Sequence, residues 1–473
     1  MTTLSAPVTT PAPPPAPGIS RRQALVLVLL LASQFMLAVD FSILNVALPT
    51  VGAGLGFAKG DVQWIATTFA LGAAGFTLLF GRVGDFVGRR RIFLLGMAAL
   101  GIASLLGGLA PSPGLLLTAR AAQGLATAAI TPAALSLLTT TFPEGALRDR
   151  ALGLNSVMMS SGFTIGAVLG GVLTDLLSWR WAFLVNMPIA VLVLAIAPAL
   201  LQDTAERERS RLDLGGAALV TTGLVALVLG ATRAGSHGIT DGGSLGALAV
   251  AAALLIAFWL VEDRHSHPLV APRILRRRTV AWGNVVGLVT FAMESALVFL
   301  LTMYLQQVLG LDPLQTGLVL VSMGVGCVLG GVLAPRVIAT VGARRAATVG
   351  LVVQALLTGV LVLVGTTRAS IALVIVATFV GALGHVTAIV SFMVSATSGL
   401  PDREQGLATG LATMTQQVAI ALGVPLMSAV AIAAGGLDSV HALRVAIGVD
   451  AGVVLVGAVA VCLGMRPGRP ARE

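Results

Sequence analysis

Among the ionisable side chains inside long apolar runs of this sequence are Asp40, Arg120, Glu294 and His385. Charge within a membrane span costs several kcal/mol unless it faces protein, an opposite charge or water. Groups retained there can bind and release protons, pair with each other, or anchor a charged ligand. They can also simply tie helices together, and for each of the four that structural role stands beside the chemical one. His385, in Gly381-Ala382-Leu383-Gly384-His385, has the side chain most suited to titration near neutral pH. Polar candidates lie on the same apolar runs: Asn45, Gln123, Thr127, Gln416 and Gln417. Helical spacing puts Arg120, Gln123, Gly124, Thr127 and Thr131 on one face, and a polar stripe on an apolar helix must face protein or a cavity.

The elements that carry these groups are membrane helices. Of 473 residues, 56% are hydrophobic and 10% charged, and mean hydropathy is +0.97. A soluble domain carries roughly 25% charged residues, so a soluble globule is excluded. Runs of about 20 apolar residues predict fourteen spans, near 23–47, 61–80, 92–110, 114–138, 151–174, 180–201, 213–233, 244–262, 280–302, 314–334, 346–366, 369–396, 407–432 and 441–465. With both termini inside, inner loops hold 23 of the 29 basic residues; outer loops hold Lys59, Arg180, Arg233, Arg368 and Arg444. Cationic loops resist translocation, so both termini are expected in the cytoplasm. The net charge of +9 lies in these loops, with no basic face or aromatic platform for nucleic acid. Cys327 and Cys462, both in apolar spans, offer no disulfide or metal framework. Residues 1–22, rich in Pro, Ala and Thr, read as a disordered tail, and 466–473 as a second cytoplasmic tail.

The sequence also repeats itself. A gapless shift of 254 residues brings Asp40 onto Glu294, Gly56 onto Gly310, Gly72 onto Gly326, Gly88 onto Gly342 and Arg90-Arg91 onto Arg344-Arg345. Many secondary transporters are built from such repeats around a central site. The expected organisation is a six-helix bundle over 23–201, a linker with spans 7 and 8 over 202–279, and a second six-helix bundle over 280–465. The repeat would set Asp40 and Glu294 on opposing bundles, flanking a cavity.

Between spans 2 and 3 lies Gly81-Arg82-Val83-Gly84-Asp85-Phe86-Val87-Gly88-Arg89-Arg90-Arg91, expected as a tight cytoplasmic loop. It resembles the loop motif of the major facilitator superfamily, with Phe86 at a position usually basic. Four further stretches are similar to the 14-span drug:proton antiporter (EmrB/QacA-like) group. Asp40, Asn45, Ala47, Leu48 and Pro49 fit its first-span motif, with Ser42 for threonine. Arg120-Ala121-Ala122-Gln123-Gly124 fits the span-4 motif, whose arginine is tied to proton transfer. Gly162, Gly166, Gly170 and Gly171 fit the span-5 motif, with Ala167 replacing its proline. Trp179-Arg180-Trp181 through Asn186-Met187-Pro188 fits a signature after span 5, and its two tryptophans suit interfacial anchors.

The resemblance implies an all-α polytopic membrane protein of the major facilitator fold, with two six-helix bundles, two inserted helices and fourteen transmembrane helices. It implies a monomeric multi-pass protein of a bacterial cell membrane that exports drugs by exchange with protons, with no cofactor and no metal. Proton coupling or substrate binding would fall to Asp40, Glu294, Arg120 and His385. Cavity lining would fall to Asn45, Gln123, Thr127, Gln416 and Gln417, and gating to Gly81, Asp85, Gly88, Arg89 and Arg90. Gly162, Gly166 and Gly170 would serve close helix packing. Export of a single native metabolite or antibiotic is the alternative within transport; a membrane-embedded enzyme or receptor is the alternative outside it. The sequence holds no Walker A phosphate loop and no His-Glu-x-x-His motif.

Overall fold

The computed structural model describes residues 19–58, 61–142, 146–202, 214–238, 240–264, 275–397 and 402–465. The tails predicted at both ends and the loops around 203–213 and 265–274 lie outside them, apart from the first residues of α1. Among the described residues fourteen helices follow one another: α1 Arg21–Leu55, α2 Gln63–Val87, α3 Arg89–Gly108, α4 Pro113–Thr141, α5 Ala146–Leu176, α6 Trp181–Leu200, α7 Leu214–His237, α8 Gly242–Glu262, α9 Arg278–Val308, α10 Pro313–Val341, α11 Ala343–Leu363, α12 Ser370–Thr397, α13 Asp402–Ala433 and α14 Val440–Gly464. Thirteen are long and apolar enough to cross a membrane; α5 adds the shorter apolar stretch Ser161–Leu176. Among the described residues there is no strand.

Local chemistry sets several boundaries. Ser20 caps α1 and forms a reciprocal capping box with Gln23, so Arg21 and Arg22 belong to the first helical turn and not to a tail. Pro113 and Pro313 open α4 and α10, where a missing N–H costs nothing, and Asp312 caps α10 by accepting from the Gln315 amide. The charged stretch 81–91 is not the loop expected from its composition. Helix α2 runs on to Val87 and α3 starts at Arg89, leaving Gly88 as the whole turn. Backbone hydrogen bonding continues past the apolar run because helix, once nucleated, propagates cheaply. The turn itself needs φ of +112° at Gly88, and its repeat partner Gly342 turns α10 into α11 at +82°. The earlier pair, Gly56 and Gly310, likewise matches at +74° and +65°. Arg90 donates to the Pro198 carbonyl at the end of α6, and its counterpart Arg344 donates to Cys462 at the end of α14.

Helix α5 lies along α1. β-Carbons at Gly162, Gly166 and Gly170 would sit 2.7, 2.8 and 2.6 Å from the carbonyls of Phe35, Val39 and Ile43, so only glycine permits this approach. Helices α2 and α4 pair likewise, as do α9 with α13 and α12 with both α10 and α11. Helix α7 packs on α2 and α13, and α8 packs on α7 with most of its surface outward. The two halves meet where α5 crosses α10. A β-carbon at Gly171 would lie 2.5 Å from the Pro313 carbonyl, and one at Gly317 would lie 2.7 Å from that of Ala167. Gln306 of α9 adds a hydrogen bond of 3.0 Å to the Val46 carbonyl of α1.

Trp179 differs from the anchor expected of it. It is 9% exposed, edge-on to Phe183 and beneath the Arg180 guanidinium, while Trp181 is 43% exposed.

Candidate functional site

Helices α1, α2, α3, α4 and α6 converge on Asp40. Arg120 Nη1 donates to Asp40 Oδ2 at 3.1 Å and to Gln123 Oε1 at 2.9 Å. Gln123 Nε2 donates to Asp40 Oδ1 at 3.2 Å and to Ser104 Oγ at 2.8 Å. Asn186 Nδ2 donates to Asp40 Oδ1 and, at 3.1 Å, to Ser104 Oγ. Arg120 Nε reaches the Ile65 carbonyl at 3.1 Å, and its guanidinium carbon stands 4.3 Å from the centre of the Phe69 ring. Every member is almost wholly buried: Asp40 is 1% exposed and Arg120 is 2%. The arrangement is a neutralised pair whose donors and acceptors are mostly consumed. The expectation that Asp40 faces Glu294 across a cavity is therefore not what the structure has. All of Asp40's partners come from the first half, because Arg120 and Gln123, three residues apart on α4, turn the same way and claim both its oxygens.

Glu294 occupies the matching place in α9 and has different company. Gln354 of α11 donates to its Oε2 at 3.4 Å, and His385 Nδ1 of α12 lies 3.6 Å from that oxygen. Thr290, one turn earlier, donates to Gln354 Oε1 at 2.7 Å and meets His385 Nδ1 at 3.1 Å. Phe291 packs edge-on against the imidazole. Among the described residues no arginine or lysine pairs with Glu294, although it is only 7% exposed. A narrow cavity adjoins it, lined by Glu294, Met323, Gln354, Thr358 and Thr378 among others. The site is thus an acid, an imidazole, an amide and a hydroxyl beside a narrow gap, suited to exchanging a proton.

The remaining candidates are scattered. Asn45 and Thr127 are buried in the first half, and Asn45 Nδ2 and Thr127 Oγ1 have no hydrogen-bond partner among the described residues. Gln416 and Gln417 are half-buried on α13, beside Thr415, which donates to Asn284 of α9 at 2.7 Å. Gly81 faces Pro132, Gly88 makes the turn, and Arg89 and Arg90 open α3. The backbone of Asp85 lies in the last turns of α2; its side chain falls outside the described residues. Ser104 and Gln354 were not among the sequence candidates, and Asn186 entered only as part of the signature after span 5, because nothing in the sequence pairs any of them with an acid. Asp450 was also passed over, although it is the only acid in the last span and the reasoning that marked Asp40 applies to it equally. Among the described residues no group of three His, Cys, Asp or Glu could hold a metal ion.

Two halves of membrane helices related by a 254-residue repeat, each with a buried acid at the same position, define a secondary-transporter architecture. A family model, Major Facilitator Superfamily, matches residues 30–424. The chain belongs to that superfamily, and it is a multi-pass membrane protein. The puromycin resistance protein pur8 of Streptomyces alboniger is 36% identical over 92% of this chain and 89% of its own length. The cephamycin export protein CmcT of Amycolatopsis lactamdurans is 42% identical over 62% of this chain and 61% of its own. The multidrug resistance protein Stp of Mycobacterium tuberculosis (strain H37Rv) is 30% identical over 87% of this chain and 76% of its own. Among solved structures, a POT family transporter in complex with 5-aminolevulinic acid superposes with a TM-score of 0.70 at 15% identity, covering 92% of this chain and 95% of that one. That likeness concerns the fold alone.

Proposed function

We propose that this protein exports amphipathic, often cationic compounds from the cell in exchange for protons, by alternating access, with Glu294 as the principal exchanging acid. The observation that carries the assignment is the contrast between two equivalent positions. Asp40 is held by a guanidinium and two amides, whereas Glu294 is buried without a guanidinium or ammonium partner among the described residues and borders a narrow cavity. A proton or an organic cation can neutralise Glu294; both cannot do so together, and that competition couples inward proton movement to outward substrate movement. The Asp40–Arg120 cluster then fixes α1, α2, α3, α4 and α6 to one another as a unit that moves together. With Arg120 cancelling Asp40, the unneutralised buried charge is negative, which favours cations; the apolar surroundings favour amphipaths.

The reading further holds that the chain works as a monomer with both termini in the cytoplasm, that it transports and does not catalyse, and that the proton gradient is its energy source. Asp85, at the cytoplasmic end of α2, is proposed to latch the halves there. The names of the relatives support drug efflux as the outcome. They also favour a second reading, export of one antibiotic, because two of them are named for a single compound.

The test is ethidium efflux from energised cells carrying the wild type or Glu294→Gln. The wild type should extrude ethidium until an uncoupler collapses the gradient, and the variant should not. Wild-type cells that extrude one antibiotic from a panel but no lipophilic cation would replace the broad reading with the narrow one.

A further inference from the structure

Helix α14 carries one acid, Asp450, eleven residues beyond its cap at Ser439. Its side chain is on the buried face with Ala446, Ile447, Ala451 and Val454, and the residue is 1% exposed. That face packs on α9 and α11, the helices that carry Glu294 and Gln354. Among the described residues neither carboxylate oxygen of Asp450 has a hydrogen-bond partner. Glu294 is the acid on the neighbouring face of α9. The other titratable groups on these helices and their neighbours include His385 on α12, Cys327 on α10 and His441 in the first turn of α14. The arginines of α9, α11 and α14 all lie near helix ends: Arg278 opens α9, Arg344 and Arg345 open α11, with Arg344 donating to the Cys462 carbonyl, and Arg444 donates to that of Val364.

A carboxylate buried in a span without donor or counter-charge costs several kcal/mol, and a proton on either oxygen removes that cost. Nothing in the packing of α14 explains why an acid stands where its neighbours are alanine and isoleucine. We propose that Asp450 is a second proton-binding residue of the transporter, coupled to Glu294, so that the second half carries two exchangeable protons. Each acid takes up a proton by forming an O–H bond and returns it to water with the electron pair left on its own oxygen, and ionisation of either one raises the cost of ionising the other. Acids coupled in that way titrate as a pair, so neither is fully described alone. This deepens the exchange reading above and rests on it.

The experiment is proton release on addition of ethidium to purified, weakly buffered protein, with bound ethidium measured alongside. Asp450→Asn should release one proton fewer per ethidium than the wild type and show a flatter pH profile, and Asp450→Glu should restore both. Equal release by the wild type and Asp450→Asn overturns the inference while leaving Glu294 as the carrier. No release by the wild type overturns the antiport reading itself, and the inference with it. A second measurement needs no variant: a hydrophobic carbodiimide, which reacts with protonated carboxyl groups, should modify Asp450 in the wild type, as mapped by mass spectrometry. Modification of Glu294 with none at Asp450 would overturn the inference even if Asp450→Asn failed to fold.

Discussion

Replacing Asp40 by asparagine tests the role given to the first-half cluster. The aspartate accepts from Arg120 on one oxygen and from Gln123 and Asn186 on the other. Asparagine keeps one carbonyl oxygen and turns the second acceptor into a donor, which must then face a guanidinium or an amide that is itself a donor. It also leaves Arg120, 2% exposed, without its counter-charge. Breaking a buried pair from one side costs about 3–5 kcal/mol, a loss of roughly two to three and a half powers of ten in the folding equilibrium. Removing both charges should cost much less, since apolar replacements of buried pairs are often near neutral, at about 1–3 kcal/mol for each amide or hydroxyl left unsatisfied. Asp40→Leu combined with Arg120→Met should therefore recover on the order of 2 kcal/mol relative to the sum of the single changes. Thermal unfolding in detergent can be read with a thiol-reactive dye on Cys327, which is buried, in a Cys462→Ser background that removes the exposed thiol. Asp40→Asn should melt several degrees early. Melting like the wild type, or a double variant no better than the summed singles, would refute the view that the pair holds the first half together.

Glu294→Gln should fold to within about 1 kcal/mol of the wild type, because glutamine can still meet Gln354 and His385 and no arginine is left unpaired; undiminished gradient-driven ethidium efflux by this variant would remove Glu294 from the mechanism. Gly171→Val should push α5 off α10, because its β-carbon would meet the Pro313 carbonyl at 2.5 Å. Overpacking of this kind costs about 1–3 kcal/mol, enough to shift the balance of conformations about tenfold toward the one in which these helices separate, as reported by cysteine labelling of the newly exposed faces; unchanged labelling would show that the contact is not part of the gate. Gly88→Ala and Gly342→Ala should each lower stability by about 1–3 kcal/mol, since both glycines hold φ values that other residues adopt only under strain. The same melting assay checks this, and wild-type midpoints would argue against strain at either turn.

The fold was legible in the sequence because its governing constraint is one-dimensional. A helix that crosses lipid must be apolar along its length and satisfy its own backbone, so spans can be counted without knowing what packs on what. The repeat was legible for a similar reason: Gly88 and Gly342 are needed by the backbone of their own turns, whatever surrounds them. Partnership was not legible. That Arg120 belongs to Asp40 depends on α1 and α4 meeting at one depth and rotation, which no spacing within either helix specifies. The extent of α2 was misjudged because charge density signals where lipid ends, and the helix does not have to end there. Asn186 could have been drawn from its position just after Trp181, yet its bond to Asp40 spans 146 residues of sequence and rests on how α6 is turned.

The repeat began as a symmetric object, and the chemistry follows from where that symmetry is broken. Asp40 and Glu294 coincide under the 254-residue shift, but Gly72 packs on Ala121 of α4 while its counterpart Gly326 packs on Phe379 of α12, which puts Thr378, a residue without charge, in the place of Arg120. One substitution of this kind decides the fate of two otherwise equivalent acids. In the first half the cation is supplied by the chain itself, so the acid is satisfied and the helices are locked. In the second half no such cation is supplied, so the acid has to find its positive partner elsewhere, in a proton or in a substrate. His385 does not replace the arginine: it approaches at 3.6 Å and already meets Thr290. Supplying the missing charge should therefore disable exchange without destroying the fold. Thr378→Arg, whose guanidinium would enter the cavity that Thr378 and Glu294 both line, is expected to satisfy Glu294 as Arg120 satisfies Asp40. Such a protein should insert in the membrane, resist carbodiimide at Glu294 and no longer move ethidium against its gradient. Efflux at the wild-type rate would mean that the asymmetry between the halves is incidental to coupling.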